Sequence, residues 1–290
     1  MRYRINHVTT YEYARAVDLG RHMLHLAPRA LPWQLVIASA LMADPVPTMM
    51  EQGLDHFGNG VTWMALDQPH ARFSLTLDAV VDVAFPAPPP AEATWAWEQV
   101  AESARLGGPA GWQAAEFAFG SPMAPADAAA GAYAALSFPP GQTVLAGLLD
   151  FMARIRHEFA FKPGVTTIST PVSRVLAQRA GVCQDFTHLM LAGLRALGLP
   201  ARYVSGYLRT HPPAGQTKRQ GADQSHAWVG AWLGPEHGWV DLDPTNNLVV
   251  QDEHLVLAWG RDYGDISPIR GIILGGGSHT LSVAVDLAPV

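Results

Sequence analysis

The chain has 290 residues, 49% of them hydrophobic and 15% charged, which is ample for a core and free of the signature of disorder. Its formal net charge of −6 argues against a nucleic-acid partner held by a strong positive field. One cysteine, Cys183, excludes an intrachain disulfide and zinc sites built on paired cysteines, and it fits a reducing compartment.

The N-terminus, Met1 to His7, has no apolar stretch behind its charges, so no signal peptide is expected. No apolar run approaches the ~18 residues of a membrane span. No membrane partner is expected, and the location expected is cytoplasmic. The length suits one large domain or two smaller ones.

Residues 2–13 interleave aromatic and β-branched residues with polar ones, a strand pattern. Further strands are expected at 35–41, 60–66 and 73–83, with a turn at 55–60. Several strands without a helix predict an N-terminal β-sandwich over residues 1–86. The proline-rich run 85–91 breaks the pattern as a stiff linker. Residues 87–140, rich in Ala, Gly and Pro with scattered aromatics, read as an irregular packing segment of short helices and loops.

From Thr143 a broad apolar stripe at helical spacing (Val144, Leu145, Leu148, Leu149, Met152, Ile155) opens the third region, 141–290. A second helix runs from Cys183 to Leu197, closed by Gly198 and Pro200. Strands follow at 201–208, 226–233 and 238–243. The tail offers two more around 272–274 and 280–285, joined by a hairpin turn at Gly275-Gly276-Gly277.

Cys183 sits where that second helix begins. A thiol there faces unpaired N–H groups and the positive end of the macrodipole, and both stabilise the nucleophilic thiolate. A lone cysteine is more often an inert buried residue, so its context must decide. A catalytic thiol needs a base, and the base needs an orienting acceptor. His226 opens one strand and shares a face with Trp228, Gly230 and Trp232. Asp241 and Asp243 lie on the next strand, on one face, so alternation does not choose between them. A helix carrying the nucleophile, packed on a sheet that offers His and then Asp, suits a Cys-His-Asp triad.

Other features carry weaker signals. Asp185 and His188, spaced i,i+3, read better as support for the helix or its neighbouring loop than as a metal pair. The polar loop 211–221 reads equally as a gate or as ordinary exposed loop. Tyr207 and Trp228 are substrate-cleft candidates, although core packing is the stronger reading for Trp228, Trp232 and Trp239. The histidines lack H-E-x-x-H spacing, so neither a metal nor another cofactor is expected. The sequence carries no signal of oligomeric state.

Four ordered motifs then carry a resemblance: Gly181-Val182-Cys183-Gln184-Asp185-Phe186; Leu194 through Tyr207; Ser225-His226-Ala227-Trp228; and Gly238 through Thr245. Together with the flanking stretches 161–166 and 260–268 and the early turn 55–59, they resemble the bacterial transglutaminase-like superfamily, in the branch described as cysteine proteases. The resemblance implies an α+β fold, in which a papain-like core packs its nucleophile helix on an antiparallel sheet. It implies Cys183 as nucleophile, His226 as general base and, from the Asp-Pro-Thr context, Asp243 rather than Asp241 as orienting carboxylate. It further implies acyl transfer at peptide amide bonds of a peptide or protein substrate, with hydrolysis favoured over crosslinking.

The Cys183 N–H is the expected first oxyanion donor. Gln184 is a candidate second donor, but its side chain is better read as pointing to solvent. Asp185 and Asp241 are further supporting candidates. The competing classes are an amine acyltransferase, a non-catalytic peptide-binding protein and a metal-dependent hydrolase using His and Asp.

Overall fold

The structure, a computed structural model, describes residues 1–107, 111–211, 221 and 223–290. The chain opens with strands β1 (Arg2–Leu24), β2 (Gln34–Asp44), β3 (Met49–Leu54), β4 (Gly60–Leu66) and β5 (His70–Val83). Alternation builds them. Tyr3, Ile5 and His7 of β1 are buried, as are Phe73, Leu75, Leu77, Ala79, Val81 and Val83 of β5, while the residues between them face outward. Strand β3 carries no such pattern, because its residues are exposed or half-buried on both faces.

Helices α1 (Trp97–Leu106), α2 (Trp112–Ala115), α3 (Ala128–Ala135) and α4 (Val144–Glu158) follow. The two-residue strand β6 (Ala160–Phe161), helix α5 (Val172–Gln178) and strand β7 (Ala180–Gly181) lead into α6 (Cys183–Ala196). Helix α6 is the hub of the core, burying Phe186, Leu189, Met190, Leu191 and Leu194 against α3, α4 and the central sheet. The segment 87–140, expected as irregular packing, supplies Val100, Ala104, Ala130, Ala134 and Phe138 to this same core. Buried Arg195 gathers it: its guanidinium donates to the carbonyls of Phe117 and Ala124 and to Ser121 Oγ.

The core sheet is formed by β8 (Ala201–Leu208), β9 (Gln224–Trp232), β10 (Trp239–Asp243), β11 (Leu248–Val249) and β12 (His254–Gly260), in the order β11-β10-β9-β8-β12. Ala227, Val229 and Ala231 of β9 pack against the helices, while Trp228 joins Val204, Val250 and Val256 in a separate cluster. Strand β12 is buried on both faces and therefore reads as an unbroken apolar run rather than an alternation.

The chain ends with β13 (Ile269–Gly275) and β14 (His279–Pro289). Sequence grouped them with the catalytic core, but both pair with β1. The N-terminal β-sandwich thus takes the form of one curled antiparallel sheet of seven strands, two of them supplied by the far end of the chain. One half is β2-β5-β1-β14 and the other β3-β4-β1-β13, and they share β1 across an irregularity between Glu12 and Val17. Gly275-Gly276-Gly277 is not a hairpin turn. The chain keeps pairing β1 in one direction on both sides of it, and the three positive φ angles of 95°, 84° and 68° let it follow the bend.

The two sheets are tied together. Tyr3, Ile5, Leu77, Val81 and Leu287 pack on Tyr207, Leu255 and Leu257 of the core sheet. The turn 55–59 is a clamp. Asn59 Nδ2 donates to the Trp259 carbonyl at 2.8 Å, and Trp259 N–H donates back to Asn59 Oδ1 at 2.9 Å. Arg29 and Arg202 stack on the Trp259 ring at 3.6 and 3.7 Å. No helix among the described residues is long and apolar enough to cross a membrane.

Candidate active site

Cys183 is the first residue of α6, partly exposed, and lines a cleft of about 550 Å³. Asp185 fixes this helix start: its Oδ2 accepts from the Val182 N–H and from Thr166 Oγ1, both at 2.7 Å. Gly181 is required by that arrangement, because a Cβ there would lie 2.7 Å from Asp185 Oδ2. Asp185 is therefore a support of the start of α6 and does not line the cleft. His188 does not pair with it. The His188 ring packs on Tyr203 at 5.1 Å, and its Nε2 accepts from the Tyr263 N–H at 3.3 Å. Burial pushes His188 down to about 4 and so keeps it a neutral acceptor.

His226, near the start of β9, also lines the cleft. Its Nε2 lies 2.8 Å from Asp243 Oδ2 at the end of β10, which leaves Nδ1 for the thiol. Burial lowers the pKa of His226, but hydrogen bonds to Asp243 and Cys183, with the negative charges of both, outweigh it and raise it to about 10. Asp243 is 0% exposed. Burial opposes its charge, yet hydrogen bonds from His226, His254 and Asn246, together with the His226 charge, hold its carboxyl well below the usual carboxylate range. Its other oxygen accepts the N–H groups of Thr245 and Asn246. The arrangement favours the protonated imidazole beside Cys183.

The rival Asp241 serves another pair. It accepts from Trp228 Nε1 at 3.0 Å and lies 3.7 Å from the buried Arg202 guanidinium. Trp228 is 0% exposed, so it packs behind His226 and lines no cleft; Trp232 is likewise buried in the core. Tyr207 is also fully buried. Its hydroxyl meets His7 Nδ1 at 2.5 Å, at the contact between the two sheets. Both cleft candidates are thereby corrected: the sheet-on-sheet contact covers Tyr207, and Trp228 is packed among Val204, Val250 and Val256. Gln184 lines the cleft, but its Nε2 donates to the Ile168 carbonyl at 3.3 Å. Most of the polar loop 211–221 lies outside the described residues.

Sequence reasoning did not find His254, Asn246 or Tyr203. His254 opens the apolar β12 and reaches Asp243 Oδ2 at 3.2 Å; a lone polar residue heading a buried strand was the available signal. Asn246, three residues after Asp243, donates to Oδ2 at 2.7 Å, and the turn composition Asp-Pro-Thr-Asn pointed to it. Tyr203 lines the cleft with Cys183, and no hydrogen bond ties its hydroxyl to a described residue. Burial and the Cys183 charge push its phenol well above the ordinary value.

His226, Asp243 and His254 are the described residues whose ligand atoms cluster closely enough for a metal. Their hydrogen bonds fill that capacity, because both ring nitrogens face the same carboxylate oxygen, which also accepts from Asn246. The far wall of the cleft comes from the N-terminal sheet: His7, Thr9 and Tyr11 of β1, with Leu281, Val283 and Val285 of β14.

Residues 3–82 match the bacterial transglutaminase-like N-terminal region, and residues 140–244 match the transglutaminase-like superfamily. An uncharacterised protein of Mycobacterium tuberculosis is 39% identical over 99% of this chain and 93% of its own length. A protein-glutamine gamma-glutamyltransferase of Pseudomonas aeruginosa is 33% identical over 44% of this chain and 20% of its own length. Among solved structures, a candidate cysteine protease from Cytophaga hutchinsonii shares the fold, with a TM-score of 0.75 and 22% identity over 99% of this chain and 90% of that one. The chain belongs to the bacterial transglutaminase-like superfamily.

Proposed function

We propose that this protein is a thiol-dependent hydrolase of peptide or isopeptide amide bonds, working by acyl transfer through Cys183, His226 and Asp243. The observation that carries this reading is the 2.8 Å contact of His226 Nε2 with a fully buried Asp243, on an imidazole that shares an open cleft with Cys183. The Cys183 thiolate attacks the amide carbonyl carbon. The oxyanion that forms takes the Cys183 N–H, which at the first helical position has no intrahelical acceptor. Tyr203 supplies the second donor, in place of Gln184. The proton on His226 passes to the leaving amine as the C–N bond breaks, leaving a thioester. His226 then takes a proton from water, which attacks the thioester and releases the acid and the thiolate.

The test is alkylation of Cys183 by iodoacetamide across pH, in wild type and in His226→Ala, with product analysis on a peptide amide. Labelling of the wild type should persist below pH 7, and the substitution should abolish that acidic limb. A profile that rises near the ordinary thiol value of about 8.5 in both proteins removes the proposal. Transfer of the acyl group to an added amine in preference to water would replace hydrolysis by crosslinking.

A further inference from the structure

The edge of β14 that is turned away from β1 runs along the cleft. Ser278 O accepts from Ala14 N–H, so the even-numbered residues of this strand turn their backbone groups toward β1. Val285 O accepts from Asp223 N–H, and Leu287 N–H donates to Asp223 Oδ2, so the odd-numbered residues turn theirs away from β1. Asp223, just before β9, thus bridges to β14, and Gly221 N–H donates to Asp286 Oδ1 beside it; past Asp223 no described residue of β9 pairs with this edge. The backbone N–H and C=O groups of His279, Leu281 and Val283 therefore face the opening, and no described residue takes them up.

Leu281 and Val283 are 53% and 50% exposed and line the same cleft as Cys183 and His226. Across β1 they face Tyr11 and Thr9, which line it too. An exposed apolar edge strand is a liability that proteins blunt with charge, proline or a covering element; residues 279–283 carry no Asp, Glu, Lys, Arg or proline, and no described strand covers them.

We infer that the substrate is an extended polypeptide segment that adds as a strand to the β14 edge at 279–283, so that the N-terminal sheet is the substrate-binding half of the site. This rests on the proposed peptide-amide chemistry and specifies its substrate class. Main-chain hydrogen bonds to three alternating residues give affinity with little side-chain selectivity, and Leu281 and Val283 favour apolar side chains on the cleft face. A folded surface loop and a free amino-acid amide are both poor substrates on this account, because neither offers a run of unpaired backbone.

The test separates the edge from the chemistry. A fluorescein-labelled hexapeptide of alternating valine and glutamine is titrated into Cys183→Ala and followed by anisotropy, alone and with single N-methyl groups placed in turn along its backbone. Strand addition predicts saturable binding, weakened about tenfold by methylation at every second position and little changed at the positions between, one lost hydrogen bond in each case. Equal effects at all positions, no effect at any, or no saturable binding would overturn the inference. Because this variant lacks the thiol, its outcome is independent of the alkylation result on which the proposed chemistry stands.

Discussion

At the scale of single residues, two carboxylates on one strand face are divided by their partners. Asp243 takes His226, His254 and Asn246, while Asp241 takes the Trp228 indole and lies beside Arg202. Alternation along the strand places both correctly and does not separate their roles, because those roles depend on what the neighbouring strands bring. Tyr203 shows the same limit, since a tyrosine inside an apolar strand reads as core until the cleft is seen to reach it. Tyr203→Phe should lower turnover of a peptide p-nitroanilide by about 10²–10³ through kcat, with KM little changed. Iodoacetamide alkylation forms no oxyanion, so the ratio of the two rates is the measurement. A parallel fall in both would assign Tyr203 a packing role.

At the scale of elements, the start of α6 is the best-determined feature of the site. The helix start is legible from Gly181 and the apolar spacing that follows. Its anchoring, however, depends on Thr166, from a loop outside the helix. Gly181→Ala should push Asp185 off the Val182 N–H and cost about 1–2 kcal/mol, the scale of a lost cap. Urea unfolding measures this, and slower alkylation of Cys183 in the folded variant would show that the displaced helix start carries the thiol with it. Strands β3 and β12 escaped the sequence for opposite reasons. The former is open to solvent on both faces and the latter buried on both, so neither alternates.

At the scale of the whole molecule, buried histidines of opposite sign set the pH range of stability. Burial lowers His7, His22 and His188 to about 4. Between pH 6.5 and 4 the unfolded chain binds more protons at these sites, so stability falls as pH drops, by up to ~1.4 kcal/mol per pH unit for each. His226, raised to about 10, contributes stability that is full below pH 6.5 and is lost as pH rises through 10. The urea midpoint should therefore peak near neutrality and fall on both sides; a midpoint flat from pH 6.5 to 4 would mean that the three histidines are hydrated. By itself the sequence determined the superfamily, the mixed helix-and-sheet architecture, the helix that starts at Cys183 and the chain order of Cys183, His226 and Asp243, because each rests on local periodicity or a short motif. The tertiary structure decided that β13 and β14 close the N-terminal sheet, that this sheet walls the cleft, that Tyr207 and Trp228 are buried and that His254 supports Asp243. These are contacts between segments far apart in the chain, and no local pattern encodes which faces a packed interior will cover.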